Sequence, residues 1–481
     1  MTKPVKYLLL DRGTINGHRC ENAALRLCQA TKDNRPDGSP FFSEEFFATP
    51  PKPWEVRYDN GYPCMFYDED AGIYRLYYTL FTHDTDSSGT PLSARPTKQY
   101  TPMDTRVTSV CYAFSRDGIT WEKPELGLVE FEGSRANNIL MRNAHGTWVL
   151  LDKAEPDLSR RYKLLTKIEY SHRNHYMAVA FSADGIHFSD PHPWPRYNPQ
   201  ADTCNFVFRD PATNRFVLIT RIWKNGVRIA ARCESSDFLE WSEPVEIARG
   251  EGFAEQVYSM PVFPCENIYL GLASMYHDGD RSADNFDTVD LTLAFSTKLD
   301  HFDRVEPGAA FIARGPGHYP DGAWDCGCIY ASTPVEIGDR LYFYYMGGNG
   351  QHTNYRETGF GRAWIRKDRF ACYESVDPAR ESVVTLAPAN FFGSRLRILA
   401  DIDTGSGGWL RCELMDARGA RPLEGFGSAR AVLPGADGWI DLEFEGRSFA
   451  SLGPRECSLR FTFSHAKLYA LEGDLRIIKR D

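Results

Sequence analysis

Five short segments of this chain carry acidic or amide side chains about eight residues ahead of a hairpin turn. They are Asp59-Asn60, Asn137-Asn138, Asp202-Thr203, Glu255-Gln256 and Trp324-Asp325. Four of the five include a carboxylate. Carboxylates gathered around one concave pocket with aromatic neighbours suit cleavage of a glycosidic bond. One carboxyl must stay protonated to donate to the leaving oxygen, and a second must be ionised to attack the anomeric carbon or activate water. Crowding drives their pKa values apart and so separates the two roles. Asp59, Asp202, Glu255 and Asp325 are therefore the catalytic candidates. Arg57, Asn60, Asn138, Tyr258, Trp324, Tyr330 and His318 are the candidate substrate contacts, through aromatic stacking and hydrogen bonds to hydroxyls. Each has an ordinary structural alternative: a turn aspartate before Asn-Gly for Asp59, an Asx-turn for Asp202, a solvated loop acid for Glu255, a turn residue beside a packed Trp324 for Asp325.

These residues need elements that converge on one axis, and a repeat supplies them. A short apolar strand runs into a polar turn ending on an aromatic residue in AFSRDGITWEKP (113–124), AFSADGIHFSDP (180–191), RCESSDFLEWSEP (232–244), AFSTKLDHFDRVEP (294–307) and the degraded AWIRKDRFACYES (363–375). The terminal aromatics Trp121, Phe188, Trp241, Phe302 and Phe370 are spaced by 67, 53, 61 and 68 residues. A strand-and-turn repeat of that length implies a β-propeller, one blade per repeat, whose innermost strands begin around an axial pocket. Helical periodicity is absent from this stretch.

The expected architecture is all-β: an irregular Pro/Gly-rich lead-in over 1–53 packing on the propeller, a five-bladed propeller over 54–375, and a β-sandwich over 376–481. The last assignment rests on short alternating strands joined by Gly-rich turns. The repeat also acts as a ruler. Arg209-Asp210-Pro211 sits at the far end of its strand, where Asp before Pro is turn chemistry, while Asp202 holds the axial position. Asp117 and Asp184 belong to the repeated turn, which recurs whether or not a site is nearby, and read as structural.

Bulk properties narrow the class. A net charge of −10 argues against nucleic acid as a partner. No apolar run approaches bilayer length, and the N-terminal run of three leucines is too short for a signal-peptide core. Twelve scattered cysteines without C-x2-C pairs read as free thiols, not zinc ligands. His277, His318 and His352 lack ligand spacing, so no metal and no cofactor is expected. The expected compartment is the cytoplasm, the expected partner a small carbohydrate, and a homo-oligomer is left open.

The repeats of the SRDGITWEKP type, GDRLYFYYMGGNGQH and the C-terminal FTFSHAKLYAL resemble the five-bladed propeller glycosidases related to glycoside hydrolase families 32, 43, 68 and 117, over nearly the whole chain. Family 32 carries its nucleophile in a WMNDPNG-type motif, and the matching segment here is WEVRYDNGY from Trp54. The resemblance implies Asp59 as nucleophile, Asp202 as transition-state stabiliser and Glu255 as acid/base. NDPNG itself and a Glu-Cys pair are missing, and Asp325 is an acid the triad would not need. The implied function is hydrolysis of a small glycoside, such as a fructosyl or arabinofuranosyl furanoside. Two alternatives stand beside it. A family-130-like phosphorylase would need Arg, Lys and His clustered at the pocket, for which Arg57, Arg314 and the histidines are candidates. A non-catalytic propeller would use its acids only to bind hydroxyls.

Overall fold

The computed structural model describes residues 3–58, 62–171, 173–199, 201–202, 205–427, 430–431, 438–444, 449–452 and 455–479. It is a five-bladed β-propeller followed by a β-sandwich. The first blade runs outward through Cys64–Asp68, Ile73–His83 and Val107–Ser115, with Trp121–Glu122 and Ile139–Arg142 outermost. The second is Ala144–Leu151, Tyr162–Ser171, Asn174–Ser182 and His192–Pro193; the third is Phe206–Arg209, Phe216–Lys224, Val227–Ser235 and Val245–Ala248. The fourth starts with Gln256–Ser259 and Val262–Cys265, then Ile268–Tyr276, Val289–Ser296 and Asp303–Arg304. The fifth starts with Cys328–Ala331 and Val335–Ile337, then Arg340–Gly348 and Thr358–Arg366.

The repeated turn explains its own sequence. In the first three blades a Ser Oγ (Ser115, Ser182, Ser235) accepts the N–H three residues on, and an Asp Oδ1 (Asp117, Asp184, Asp237) accepts two following N–H groups. The third turn position is left-handed throughout: Gly118 at φ 73°, Gly185 at 78°, Phe238 at 68°, Leu299 at 59° and Asp368 at 64°. Adjacent blades read one another's turns. The Tyr77 hydroxyl donates to Gly185 O at 2.9 Å, and Tyr344 donates to Gly118 O at 3.0 Å. Hairpin acids are gripped the same way: Asp68 by the Tyr162 hydroxyl (2.5 Å), Asp152 by Arg209 (2.9 Å) and Asp210 by the Tyr269 hydroxyl (2.6 Å). Asp210 also accepts from Ala212 N and Thr213, so the Arg-Asp-Pro triplet builds a turn and a blade contact.

One aromatic from each blade fills the axis: Tyr62, Trp148, Phe206, Tyr258 and Tyr330, all buried. Tyr62 touches three of the others, at ring separations of 5.6 Å (Phe206), 6.4 Å (Tyr258) and 5.0 Å (Tyr330), and Trp148 lies 5.0 Å from Phe206. Edge-to-face and offset rings of this kind pack a core with defined geometry.

The lead-in is irregular over most of residues 3–53 but contributes four short strands. Thr31–Lys32 and Phe42–Ser43 pair with Thr358–Arg366 and complete the outer edge of the fifth blade. Val5–Leu8 pairs with Ala466–Ile477, and Ala23–Leu27 with Ala371–Ser375. These strands are short and set between Pro- and Gly-rich turns, so no local period betrays them; their partners lie more than 300 residues away. The fifth repeat copy is degraded for a matching reason. After Arg366 the chain leaves the propeller, and Ala371–Ser375 joins the sheet of the sandwich. The sandwich sets that sheet, with Ala389–Ile402 and Ala466–Ile477 at its centre, against Ser382–Thr385, Cys457–Ser464 and Trp409–Asp416. Their inward Leu414, Phe461, Phe463, Ile398 and Leu471 form its core.

Candidate active site

The second strand of each blade ends on the same face of the propeller where the innermost strand begins. There the side chains of His145, Asp202, Tyr258 and His352 line a recess of about 300 Å³, with Arg106 and Arg228 among the walls. Asp202 stands four residues before Phe206, where the innermost strand of blade three begins. Its side chain is 28% open, and the opening is into the recess. Arg221, at the axial end of Phe216–Lys224, pairs with one carboxylate oxygen, and His145 Nε2 lies 3.4 Å from the other. Burial alone would push the Asp202 carboxyl up. The Arg221 guanidinium, with His145 and Lys167 behind it, outweighs that and holds it well below the usual carboxylate range. Asp202 is thus an ionised carboxylate at the axis.

His145 is fixed from its other side by Glu169, whose Oε2 is 2.5 Å from Nδ1, and Lys167 Nζ sits 3.3 Å from the same oxygen. Burial pushes Glu169 up, but the hydrogen bond from His145 and the Lys167 charge bring it down to about 2. On the far wall the Gln256 side-chain oxygen accepts both Arg228 N–H and Arg228 Nη1 at 3.1 Å. The Arg228 guanidinium is 4.7 Å from the Tyr276 ring centre and 4.4 Å from that of Trp223. His352 is buried, and burial together with Arg356, Arg228 and Arg221 drives its pKa far below the ordinary value, so its imidazole is neutral; Tyr330 OH lies 3.0 Å from its Nδ1.

Asp202 and Tyr258 therefore meet at the recess as the sequence suggests. Asp59 and Asn60 lie outside the described residues. The other candidates are placed elsewhere. Glu255 turns outward and accepts from Arg304 Nη1 at 2.6 Å, on the outermost strand of its own blade; its neighbour Gln256, fully buried, accepts from Arg228 behind the recess wall. Asp325 is 2% exposed and binds Lys32 at 2.5 Å and the Tyr345 hydroxyl at 2.9 Å. Trp324 stacks on Tyr345 at 5.5 Å and donates to Gly38 O. Both face the lead-in that closes blade five. Asn137-Asn138 precedes the outermost strand of blade one, not the innermost strand of blade two. Buried Asn138 donates to the Tyr78 hydroxyl and Tyr112 O and accepts from Trp54. Arg57 is buried beneath Tyr100, 3.9 Å from its ring centre, and donates to Asn354 O. Tyr330 is fully buried and supports His352. His318 lines a separate recess of about 310 Å³ with Arg314, Tyr319 and Tyr355.

The residues missed by sequence reasoning are His145, Glu169, Arg221 and Arg228; His352, singled out with His277 and His318, does line the recess. A signal existed for Arg221: a buried charge at the end of the apolar FVLITRIW run demands a partner. His145 carried no local signal.

The fold and site define a five-bladed propeller with one polar axial recess and an appended sandwich. No protein-family model and no curated protein matches the chain. Among solved structures, a glycosyl hydrolase from Bacteroides ovatus is similar at 13% identity over 73% of this chain and 98% of that one, with a TM-score of 0.47. A structure from the family-130 mannoside phosphorylases, which contain glycoside hydrolases targeting β-1,2-mannosidic linkages in Candida mannan, has 15% identity, coverage of 73% and 97%, and a TM-score of 0.47. A fructofuranosidase from Schwanniomyces occidentalis complexed with fructosylnystose has 12% identity and a TM-score of 0.41, spanning 93% of this chain and 100% of that one.

Proposed function

We propose that the axial recess binds one end of a small carbohydrate and that the protein cleaves its glycosidic bond there. The observation that carries this reading is Asp202: an ionised carboxylate, paired with Arg221 and His145, facing a polar recess of about 300 Å³. A fixed negative charge at that place stabilises the positive charge that builds on an anomeric carbon as its bond breaks. Its pre-set ion pair means that no reorganisation is needed at the moment of reaction. The recess lies at the small end of ligand cavities, which suits a sugar unit better than a bulky cofactor. His145 positions Asp202 in this reading, because Glu169 holds Nδ1 and Nε2 faces the Asp202 carboxylate. Asp59 is the nucleophile by its resemblance to the family-32 motif. The cytoplasmic setting belongs to the same proposal and favours short imported oligosaccharides over polymers.

A second reading, a phosphorylase, is favoured by one observation. Arg106 and Arg228 line the recess, and Arg221 and Lys167 stand within one residue of it. That is the cationic surrounding a phosphate nucleophile needs. One screen separates the readings: aryl furanosides and pyranosides, with and without phosphate, on the wild type, Asp202→Asn and Asp59→Asn. Asp202→Asn is expected to lower turnover by roughly 10²–10⁴-fold. Turnover that survives it removes the catalytic assignment, and a requirement for phosphate selects the phosphorylase.

A further inference from the structure

Large exposed aromatics scattered singly over a protein surface need no explanation. Here several crowd one rim. Tyr170, at the axial end of Tyr162–Ser171, is 57% exposed and lines the Asp202 recess. Phe253, in the loop before the fourth blade, is 56% exposed. Its ring packs on the turn after Phe216–Lys224, since a Cβ added to Gly226 would stand 3.4 Å from Phe253 Cζ. Trp223 links that turn to the recess: Arg221 and Arg228 lie 5.3 and 4.4 Å from its ring centre. Met103, 46% exposed, lines the recess beside Tyr170.

Taken with the reading of the recess as a carbohydrate site, on which this rests, the geometry points to Tyr170 and Phe253 as stacking faces for further sugar units of a bound oligosaccharide. Three observations support that occupant. Tyr170 lines the recess that holds Asp202, and Trp223 meets its Arg228 wall. They stand on separate hairpins with charged and polar groups between them, unlike the unbroken apolar patch of a protein interface. The recess itself is small, so a ligand longer than its buried end must run out across this rim. A sugar ring presents axial C–H groups on one face and hydroxyls around its edge. It therefore gains from an aromatic face below and a guanidinium such as Arg228 at its side. Trp223, 40% exposed with Arg221 and Arg228 beside its ring, stands next to the turn that carries Phe253.

Isothermal titration on the Asp202→Asn variant tests this without turnover. The probes are manno-, xylo-, arabino- and fructo-oligosaccharides of two to four units, each compared with its own monosaccharide. The expected result is one series whose tri- or tetrasaccharide binds about ten-fold or more tighter than the monosaccharide, with most of that gain lost in Tyr170→Ala/Phe253→Ala. Both side chains are exposed, so unchanged thermal unfolding serves as the folding control. Equal affinity for monosaccharide and oligosaccharide, or a gain that survives the double substitution, overturns the platform and leaves the recess as the site. No binding of any probe overturns both readings.

Discussion

Asp202 and Asp325 both stand just ahead of an innermost strand, four residues before Phe206 in the third blade and three before Cys328 in the fifth. Both are carboxylates in close ion pairs, Asp202 with Arg221 and Asp325 with Lys32. The third blade turns its acid to the axis, where one side stays open to a recess. The fifth turns its acid away, where Lys32 from the lead-in and Tyr345 close every side. The ion pair at Asp325 ties the N-terminal strands to the last blade of a ring that would otherwise end on an unpaired edge. An ion pair is thus not a functional signature by itself. What separates a working carboxylate from a structural staple is whether a face is left for a ligand.

The strongest test of this comparison is the pair of substitutions Asp202→Asn and Asp325→Asn. The first should remove turnover by roughly 10²–10⁴-fold and also lower stability, because buried Arg221 loses this carboxylate. The second should leave kcat near wild type and lower unfolding stability by about 2 kcal/mol, measured by denaturant titration. A folded, inactive Asp325→Asn protein would break the comparison.

Next in size is the electrostatic role of Arg221. Asp202 is held below the usual range, so the stability its pairing confers is complete above about pH 4, the unfolded carboxylate value. It is lost only as pH falls through the lower folded value. No acid limb from Asp202 is therefore expected in the wild-type profile of kcat/KM between pH 5 and 8. Arg221→Gln removes the chief stabiliser of the charge and leaves burial unopposed by it. An acid limb should then move up by about one pH unit or more. A profile unchanged by Arg221→Gln would contradict the assignment of the charge to this pair.

Smaller effects are expected in the repeated turns. Gly185→Ala places a Cβ at φ 78° and 2.8 Å from the Tyr77 hydroxyl, so a loss of roughly 1–3 kcal/mol is expected with KM unchanged. Gly308, at φ 84° with open space around it, should cost only about 1 kcal/mol on the same change. Asp210→Ala should sit near the lower end, about 1–2 kcal/mol, through its lost turn and Tyr269 hydrogen bonds. A large loss of turnover in Asp210→Ala would restore the Arg-Asp-Pro triplet as a catalytic motif.

What was legible beforehand follows from the range of the interactions involved. A Ser-x-Asp-Gly turn is satisfied within five residues, so the chain repeats it wherever a blade needs it, and the repeat exposes blade number, strand order and the structural place of Asp117, Asp184 and Asp210. Asp202 was legible because its distance from the next hairpin is short and regular. Asn138 failed by the same ruler, because the first blade takes an additional outer strand before the second begins. Glu255 failed because one step along the strand exchanges its direction with that of Gln256.

The sequence by itself thus determined a propeller of five blades with an axial aspartate, since hairpin turns and two-residue alternation are local. Only the tertiary structure decided which acids face the axis, how residues 1–53 close the fifth blade, and that His145, Arg221, Arg228 and His352 gather around Asp202. Those choices rest on contacts between segments tens to hundreds of residues apart, where direction is set by the packing of whole blades and no local spacing records it.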